Sequence, residues 1–368
     1  MITLTNKEHS KIAWITDTHQ GCRNASKFFR DHNAKYWKNE FFPRIKQEGI
    51  EIIIHAGDFF DSRNSLSLQD IDYVVNTWLP MLEDSGATMY IIAGNHDVAY
   101  RNTNTINSLS LLKSSENVVV IDNEVELLVP FEDGPKIVMC PWINNENYED
   151  IMEDLKTYAS EDNILVLHGS FKGMKMYKGS IPCDQGLDPQ DFKKFAYVFS
   201  GHFHHPSIYG NIQYIGSMFY FNWQDHGDWR GWMIYDNDKG EFELVENEDD
   251  PFASDHYELI KDWTDEQLKE KFGGRISRLT VSSDYDKVEL KDFVYRIEQQ
   301  GPISVDLIDN TIIDRSNVSA DDEEGSDEVK ELSEYVDDAL EGNEKKDDLK
   351  ALFDEVFEEA KARMAEVE

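Results

Sequence analysis

Five short apolar runs in the first 205 residues each stop at a group of Asp, Asn or His side chains, and this repetition limits the fold more than any other feature. Residues 12–16 lead into Asp17-Thr18-His19. Residues 52–55 lead into Gly57-Asp58-Phe59-Phe60-Asp61, and 90–93 into Gly94-Asn95-His96-Asp97. Residues 164–167 end at His168-Gly169, and 196–199 lead to Gly201-His202-Phe203-His204. Apolar runs of this length, bounded by glycine or polar turns, read as buried strands. Helix-like stretches at 33–47 and 68–83 separate the first three, which is βαβ order. Open α/β sheets bind ligands outside the carboxyl ends of their strands, where all five groups fall. Glycines beside them allow the sharp turns that bring several loops to one point.

Further strands are predicted at 118–121, 125–129, 136–139, 214–216 and 232–235, with helices at 102–112 and 148–158. The predicted class is therefore α/β, with a mixed sheet and helices on both faces. Acidic residues around Pro251 mark a boundary, so the first domain is expected over 1–248. Residues 256–312 read as a small α+β module, strand-like at 276–281 and 303–308 and helix-like at 288–299. An acidic linker is expected at 313–326, and a helical tail at 327–368. In that tail Leu349, Leu352, Phe353, Val356, Phe357, Ala360, Met364 and Val367 form one apolar stripe. Val329, Leu332, Tyr335, Val336, Ala339 and Leu340 form another. Short helices with this much like charge are not stable alone, so the stripes call for a partner surface.

The formal charge of −37 is uneven, with 20 acidic and six basic residues between 316 and 368. Such a surface repels polyanions on average. Contact with nucleic acid must then run through metal ions, a local basic patch or a partner. Three cysteines (Cys22, Cys140, Cys183) form no disulfide framework and suit a reducing compartment. Residues 1–11 lack the apolar core of a signal peptide, and no run nears the ~18 apolar residues of a membrane span. A cytoplasmic protein (host cytoplasm if phage-encoded) without membrane contact is expected.

Imidazole together with carboxylate suits Mn, Fe or Zn better than Mg or Ca. An Asp-x-His at a strand end aims both side chains at one ion, and a single carboxylate, Asp58, can bridge two. Two ions roughly 3.5–4 Å apart polarise a phosphoryl oxygen and activate water. His96, beside Asn95, is placed to protonate a leaving oxygen. Each motif alone means little; the five together, in order, point to a metal centre. His205 reads as a supporting or loop residue near that centre, with extension of the metal cluster as the alternative, and His55 as a core histidine. Lys172, Lys175 and Lys178, just after His168, form a candidate phosphate-gripping loop, equally readable as solvated surface; Arg23, Lys27 and Arg30 raise the same alternatives. Trp223, Trp229 and Trp232 read as core or cap contacts.

Over residues 11–240 these motifs resemble the calcineurin-like metallophosphoesterase superfamily. The resemblance implies the metallophosphoesterase fold, a mixed β-sheet sandwich with flanking helices. It implies one metal on Asp17, His19, Asp58 and His204 and another on Asp58, Asn95, His168 and His202, with His96 catalytic and Asp97 positioning it. Within the superfamily the chain looks like SbcD-type nuclease subunits of double-strand-break repair complexes, including tailed-phage relatives. Gly57 to Arg63 (Gly-Asp-Phe-Phe-Asp-Ser-Arg), Tyr214-Ile215-Gly216-Ser217 and Gly231 to Asp236 carry this narrower likeness, as does a capping module followed by a helical tail. Some members place a second catalytic histidine where this chain has Asp61; here Asp61 is open between orienting a ligand or water and heading a helix. The implied activity is two-metal hydrolysis of DNA phosphodiester bonds, 3′-to-5′ exonuclease and endonuclease. Mn2+ is the expected ion, with Mg2+, Fe or Zn as alternatives. The implied partners are DNA, a second copy of the chain, and an SbcC-type coiled-coil ATPase engaged through the C-terminal helices. Stretches 68–83 and 102–112 are candidate dimer surfaces. The competing readings are a stand-alone phosphoesterase for nucleotides or phosphoproteins and, less consistent with intact motifs, a non-catalytic adaptor.

Overall fold

The computed structural model describes residues 2–3, 10–311 and 350. The five apolar runs are strands: Lys11–Ile15, Ile52–His55 and Thr88–Ile92 in one sheet, Asn163–His168 and Tyr197–Gly201 in a second. The first sheet has six strands, in the order Glu241–Glu246, Gly231–Asp236, Lys11–Ile15, Ile52–His55, Thr88–Ile92, Val118–Ile121. It is parallel from Lys11–Ile15 onward and antiparallel at Gly231–Asp236. The second has seven and is also mixed, with Lys136–Met139, Asn163–His168 and Tyr197–Gly201 parallel at its centre. The fold is thus a mixed β-sheet sandwich with flanking helices.

Side-chain alternation explains the layering. Ile12, Trp14, Ile52, Ile54, Tyr90 and Ile92 meet Ile137, Met139, Ile164, Val166 and Phe199 between the sheets. The intervening Ala13, Ile15, Ile53, Met89 and Ile91 face helices bearing Trp37, Phe41, Ile45, Trp78 and Leu82. On the far side Val138, Leu165, Leu167 and Val198 pack against Ile151 and Leu155 of helix Tyr148–Tyr158. Strands buried on both faces read as continuous apolar runs, which is how these appear in the sequence.

The helix expected at 33–47 begins earlier, at Lys27, and continues to Glu48 through a wide π-type turn at Trp37–Phe41. The helix from Leu68 to Ser85 has the same feature at Val74–Trp78. Each wide turn runs into a segment with proline in its first turn, Pro43 or Pro80, which has no N–H for the regular ladder. The helix expected at 102–112 is not formed. Thr103–Asn107 is a strand paired with Val98–Tyr100, and only Ser108–Ser114 is helical, as a 3-10 segment. Asn104 donates to the Trp142 carbonyl, and Asn107 to the Asn104 carbonyl and Asp122. Such side-chain bonds compete with a helix. The strand expected at 214–216 lies at Ile212–Tyr214, because Gly216 turns the chain at φ 85°.

Phe252–His256, Ile276–Val281 and Ser304–Asp309 form a separate three-stranded parallel sheet. Helices Asp265–Phe272 and Lys287–Glu298 cover it around Leu268, Phe272, Leu279, Leu290, Phe293 and Ile297. It lies within one compact unit, Met1–Asn310. The Arg278 guanidinium sits 4.0 Å over the Trp223 ring, which also packs on Phe252. The expected linker and the two tail stripes fall outside the described residues. No helix among the described residues is long and apolar enough to cross a membrane.

The segment before Gly231–Asp236 is fixed by Arg230, whose side chain is fully buried. It donates to Asp225 at 2.5 Å, to Asp228 at 3.1 Å and to the Trp229 carbonyl. Removing one partner of a buried ion pair strands the other charge, at about 3–5 kcal/mol. Asp225→Ala is expected to lose stability of about that size in chemical unfolding; a change below about 1 kcal/mol would show that water or Asp228 replaces the lost partner.

Candidate metal centre

The strand ends converge because their loops are tied together through the main chain. The Asp17, His19 and Gln20 amides donate to the carbonyls of Gly57, Asp58 and Phe59 at 3.1, 3.2 and 2.7 Å. The buried Asp97 carboxylate accepts from the amides of Gly94, Asp58, Phe59 and Phe60 at 2.9–3.1 Å. Asp17 accepts from the His202 amide at 3.1 Å and from the Thr16 hydroxyl at 2.6 Å. In this lacing Asp17, His19, Asp58 and His202 all adopt positive φ, from 42° to 91°. For side chains other than glycine this costs about 1–3 kcal/mol each. The neighbouring glycines are needed for space. A Cβ on Gly94 would lie 2.3 Å from Asp58 Oδ1, and one on Gly201 2.2 Å from Thr16 Oγ1.

Three groups of ligand atoms result among the described residues, and the third, His19 with Asp61 and His96, shares His19 with the first. In the first, His19 Nε2 and His204 Nε2 face each other at 3.1 Å, and Asp17 Oδ1 lies 3.9 and 3.8 Å from them. In the second, Asp58, His168 and His202 converge. His168 Nε2 is 3.2 Å from Asp58 Oδ2 and 3.0 Å from Asn95 Oδ1. Asp58 Oδ2 is also 3.9 Å from His19 Nε2, so one carboxylate oxygen faces both groups.

The donor chemistry fits divalent cations. The Ala56 carbonyl at 2.8 Å from His168 Nδ1 can only accept, so Nδ1 carries the hydrogen. The Nε2 lone pair then points at two acceptor oxygens, an arrangement a cation resolves. Without one, a proton takes its place. Burial alone would lower the His168 pKa, but Asp58 beside it raises it to about 9. Burial would likewise raise Asp58; His168 overrides this and holds it well below the usual carboxylate range. Burial, reinforced by His168, depresses His202 to about 3, and burial raises Asp17.

His96 belongs to the third group, with His19 and Asp61. Its amide donates to Asp58 Oδ1 at 2.8 Å, its Nδ1 lies 2.5 Å from the Asp61 carbonyl, and its ring meets His19 edge-on at 5.0 Å. Asp97 holds backbone amides rather than the His96 ring, which corrects the role expected of it. Nor does Asp61 head a helix: the following helix starts at Leu68, capped by Ser67. His205 turns away to Asp228 at 2.7 Å. His55 is fully buried against Thr18, and burial depresses it to about 3. Lys27 and Arg30 are paired with Asp31 and Asp70, whereas Arg23 lines the cavity over the centre. The lysine loop contributes Met176 to that cavity, while Lys172, Lys175 and Lys178 are exposed. Trp232 is in the core. Phe221, edge-on to His19 at 5.1 Å and close to His204 at 5.4 Å, gave no sequence signal.

A calcineurin-like phosphoesterase family model matches residues 10–206. Exonuclease subunit 1 of Enterobacteria phage T4 is 34% identical over 241 residues, 64% of this chain and 68% of that protein. The SbcD subunit of the nuclease SbcCD of Staphylococcus epidermidis is 25% identical over 263 residues, 61% of this chain and 66% of that protein. DNA double-strand break repair protein Mre11 of Sulfurisphaera tokodaii is 26% identical over 199 residues; the match takes in 53% of this chain and about half, 49%, of that protein.

Because Asp58 faces both groups, Asp58→Asn is expected to lose both ions together. Elemental analysis should find the purified variant depleted, and added divalent metal should no longer raise its melting temperature. Retention of two ions per chain would remove Asp58 from the bridging position.

Proposed function

Since the chain belongs to the calcineurin-like phosphoesterase family, we propose that it is the nuclease subunit of a recombination and repair complex, an SbcD-type metal-dependent DNA exonuclease and endonuclease. The observation that carries this reading is the convergence of two His/Asp groups on Asp58, with the His96 imidazole beside them. Asp17, His19, Asp58 and His204 would hold one divalent ion and Asp58, Asn95, His168 and His202 another, Mn2+ foremost, and such ions would supply Lewis-acid polarisation of the phosphoryl oxygen and activation of water. The protein's own residues do the rest. With Nδ1 donating to the Asp61 carbonyl, His96 lines the cavity, where its doubly protonated ring can give the Nε2 proton to the leaving oxygen and become neutral. Asp97 keeps the loops of Asp58 and His96 in register. Arg23 and Asn24 line the same cavity, of about 750 Å³, and offer a cation and an amide to the DNA backbone of an otherwise acidic protein.

Residues 1–248 are read as the nuclease domain and 256–312 as its cap. The proposed assembly is a homodimer acting on DNA in the cytoplasm. An SbcC-type coiled-coil ATPase would bind the two apolar stripes of residues 327–368, whose acidic faces suit a basic rim.

Mn2+-dependent release of nucleotides from linear DNA, 3′-to-5′, tests the reading; phosphatase activity without DNA cleavage would replace it with a stand-alone phosphoesterase. His96→Asn should keep two ions and DNA affinity but lose turnover by ~10²-fold or more. Near-wild-type rates would take His96 out of the mechanism. Deleting residues 326–368 should leave metal-dependent cleavage intact and abolish ATPase association, as should Phe353→Asp with Phe357→Asp. Co-purification of the truncated chain at full affinity would place the docking element elsewhere.

A further inference from the structure

We propose that Asp61 is a positioning residue serving both halves of the centre, its carboxylate orienting His19 and its main-chain carbonyl orienting His96. The inference rests on the reading of His19 as a metal ligand.

His19 is only 4% exposed. Its Nε2 faces His204, Asp17 and Asp58. Its Nδ1 points the other way and has no aligned hydrogen-bond partner, but Asp61 Oδ1 stands 3.3 Å from it as an ion-pair neighbour. A neutral imidazole carries one hydrogen. Placed on Nδ1 toward a carboxylate, it leaves the Nε2 lone pair aimed at the ligand group; placed on Nε2, it points into that group and repels a cation. Asp61 selects the first arrangement. Without its carboxylate, a hydrogen on Nδ1 loses the negative charge it faces and the wrong tautomer gains ground.

The second contact uses different atoms. The Asp61 carbonyl accepts from His96 Nδ1 at 2.5 Å, and the Asp61 amide donates to the Gln20 carbonyl at 3.1 Å, fixing the main chain. A side-chain substitution therefore removes the first function and leaves the second. The side chain is 34% exposed, so replacing it empties no core position.

The test is Mn2+ titration of the full-length chain by calorimetry, without DNA, with ion content at saturation from elemental analysis. Asp61→Ala should weaken one of two sites by roughly 10–100-fold while two ions still bind at saturation. Asp61→Asn, whose amide oxygen still accepts from Nδ1, should weaken it less. At saturating Mn2+ both variants should regain most of their turnover, because His96 remains in place. Unchanged affinity in both variants overturns the proposal. Loss of one ion at saturation also overturns it, making Asp61 a direct ligand alongside His19 and His96. Should the alanine chain fail to fold, the asparagine chain alone decides by the same readings. Normal metal binding without DNA cleavage would sink the nuclease reading and leave Asp61's role standing.

Discussion

Everything at the centre depends on one buried carboxylate that touches none of the expected ligand atoms. Asp97 gathers amides from two loops, Gly94 on its own and Asp58, Phe59 and Phe60 on the neighbouring one. With its amide anchored, Asp58 holds φ 55°, and in that conformation its carboxylate reaches both ligand groups. The His96 amide in turn bonds Asp58 Oδ1. Burial and the nearby Asp58 push the Asp97 pKa up to about 7, against the amides that favour its charge. The same isolation from water strengthens each of those four bonds.

A second constraint is electrostatic. Asp17, Asp58 and Asp97 are at most 2% exposed and lie close together with buried histidines. Carboxylates at such density favour protonation or cations. His168, with its Nδ1 hydrogen bound to Ala56, turns its Nε2 lone pair inward to take either one. The loops are strained and rich in like charge before any ion arrives, so bound metal contributes to stability as well as to chemistry.

The sandwich and the ligand groups were legible because they depend on local rules. An apolar run followed by glycine and a ligand residue encodes a strand, its end and its cargo in a few consecutive letters. What was illegible depended on distant partners. Asp97 was read beside His96, its neighbour in sequence, although its bonds reach back to Phe59 and Phe60. Asp61 stayed open between orienting a ligand or water and heading a helix, because the next helix was near. Residues 102–112 had helical spacing, but Asn104 and Asn107 find acceptors at Trp142 and Asp122 that no local pattern announces. The wide turns before Pro43 and Pro80 were open to a reader who asked where each proline's missing N–H would fall.

The segment between Tyr214 and Gly231 works as a shared hinge plate. At one end Phe221 leans on His19 and His204; at the other Trp223 is clasped by Arg278 and Phe252, and His226 bonds Asp250 and Ser254. Arg230 is locked to Asp225 and Asp228, and Asp225 also accepts from the Phe221 amide, which ties the segment together. The wall of the metal centre and the footing of the three-stranded sheet are therefore cut from one piece of chain. A shift of that sheet and a shift of the imidazole wall are movements of neighbouring stretches of the same segment.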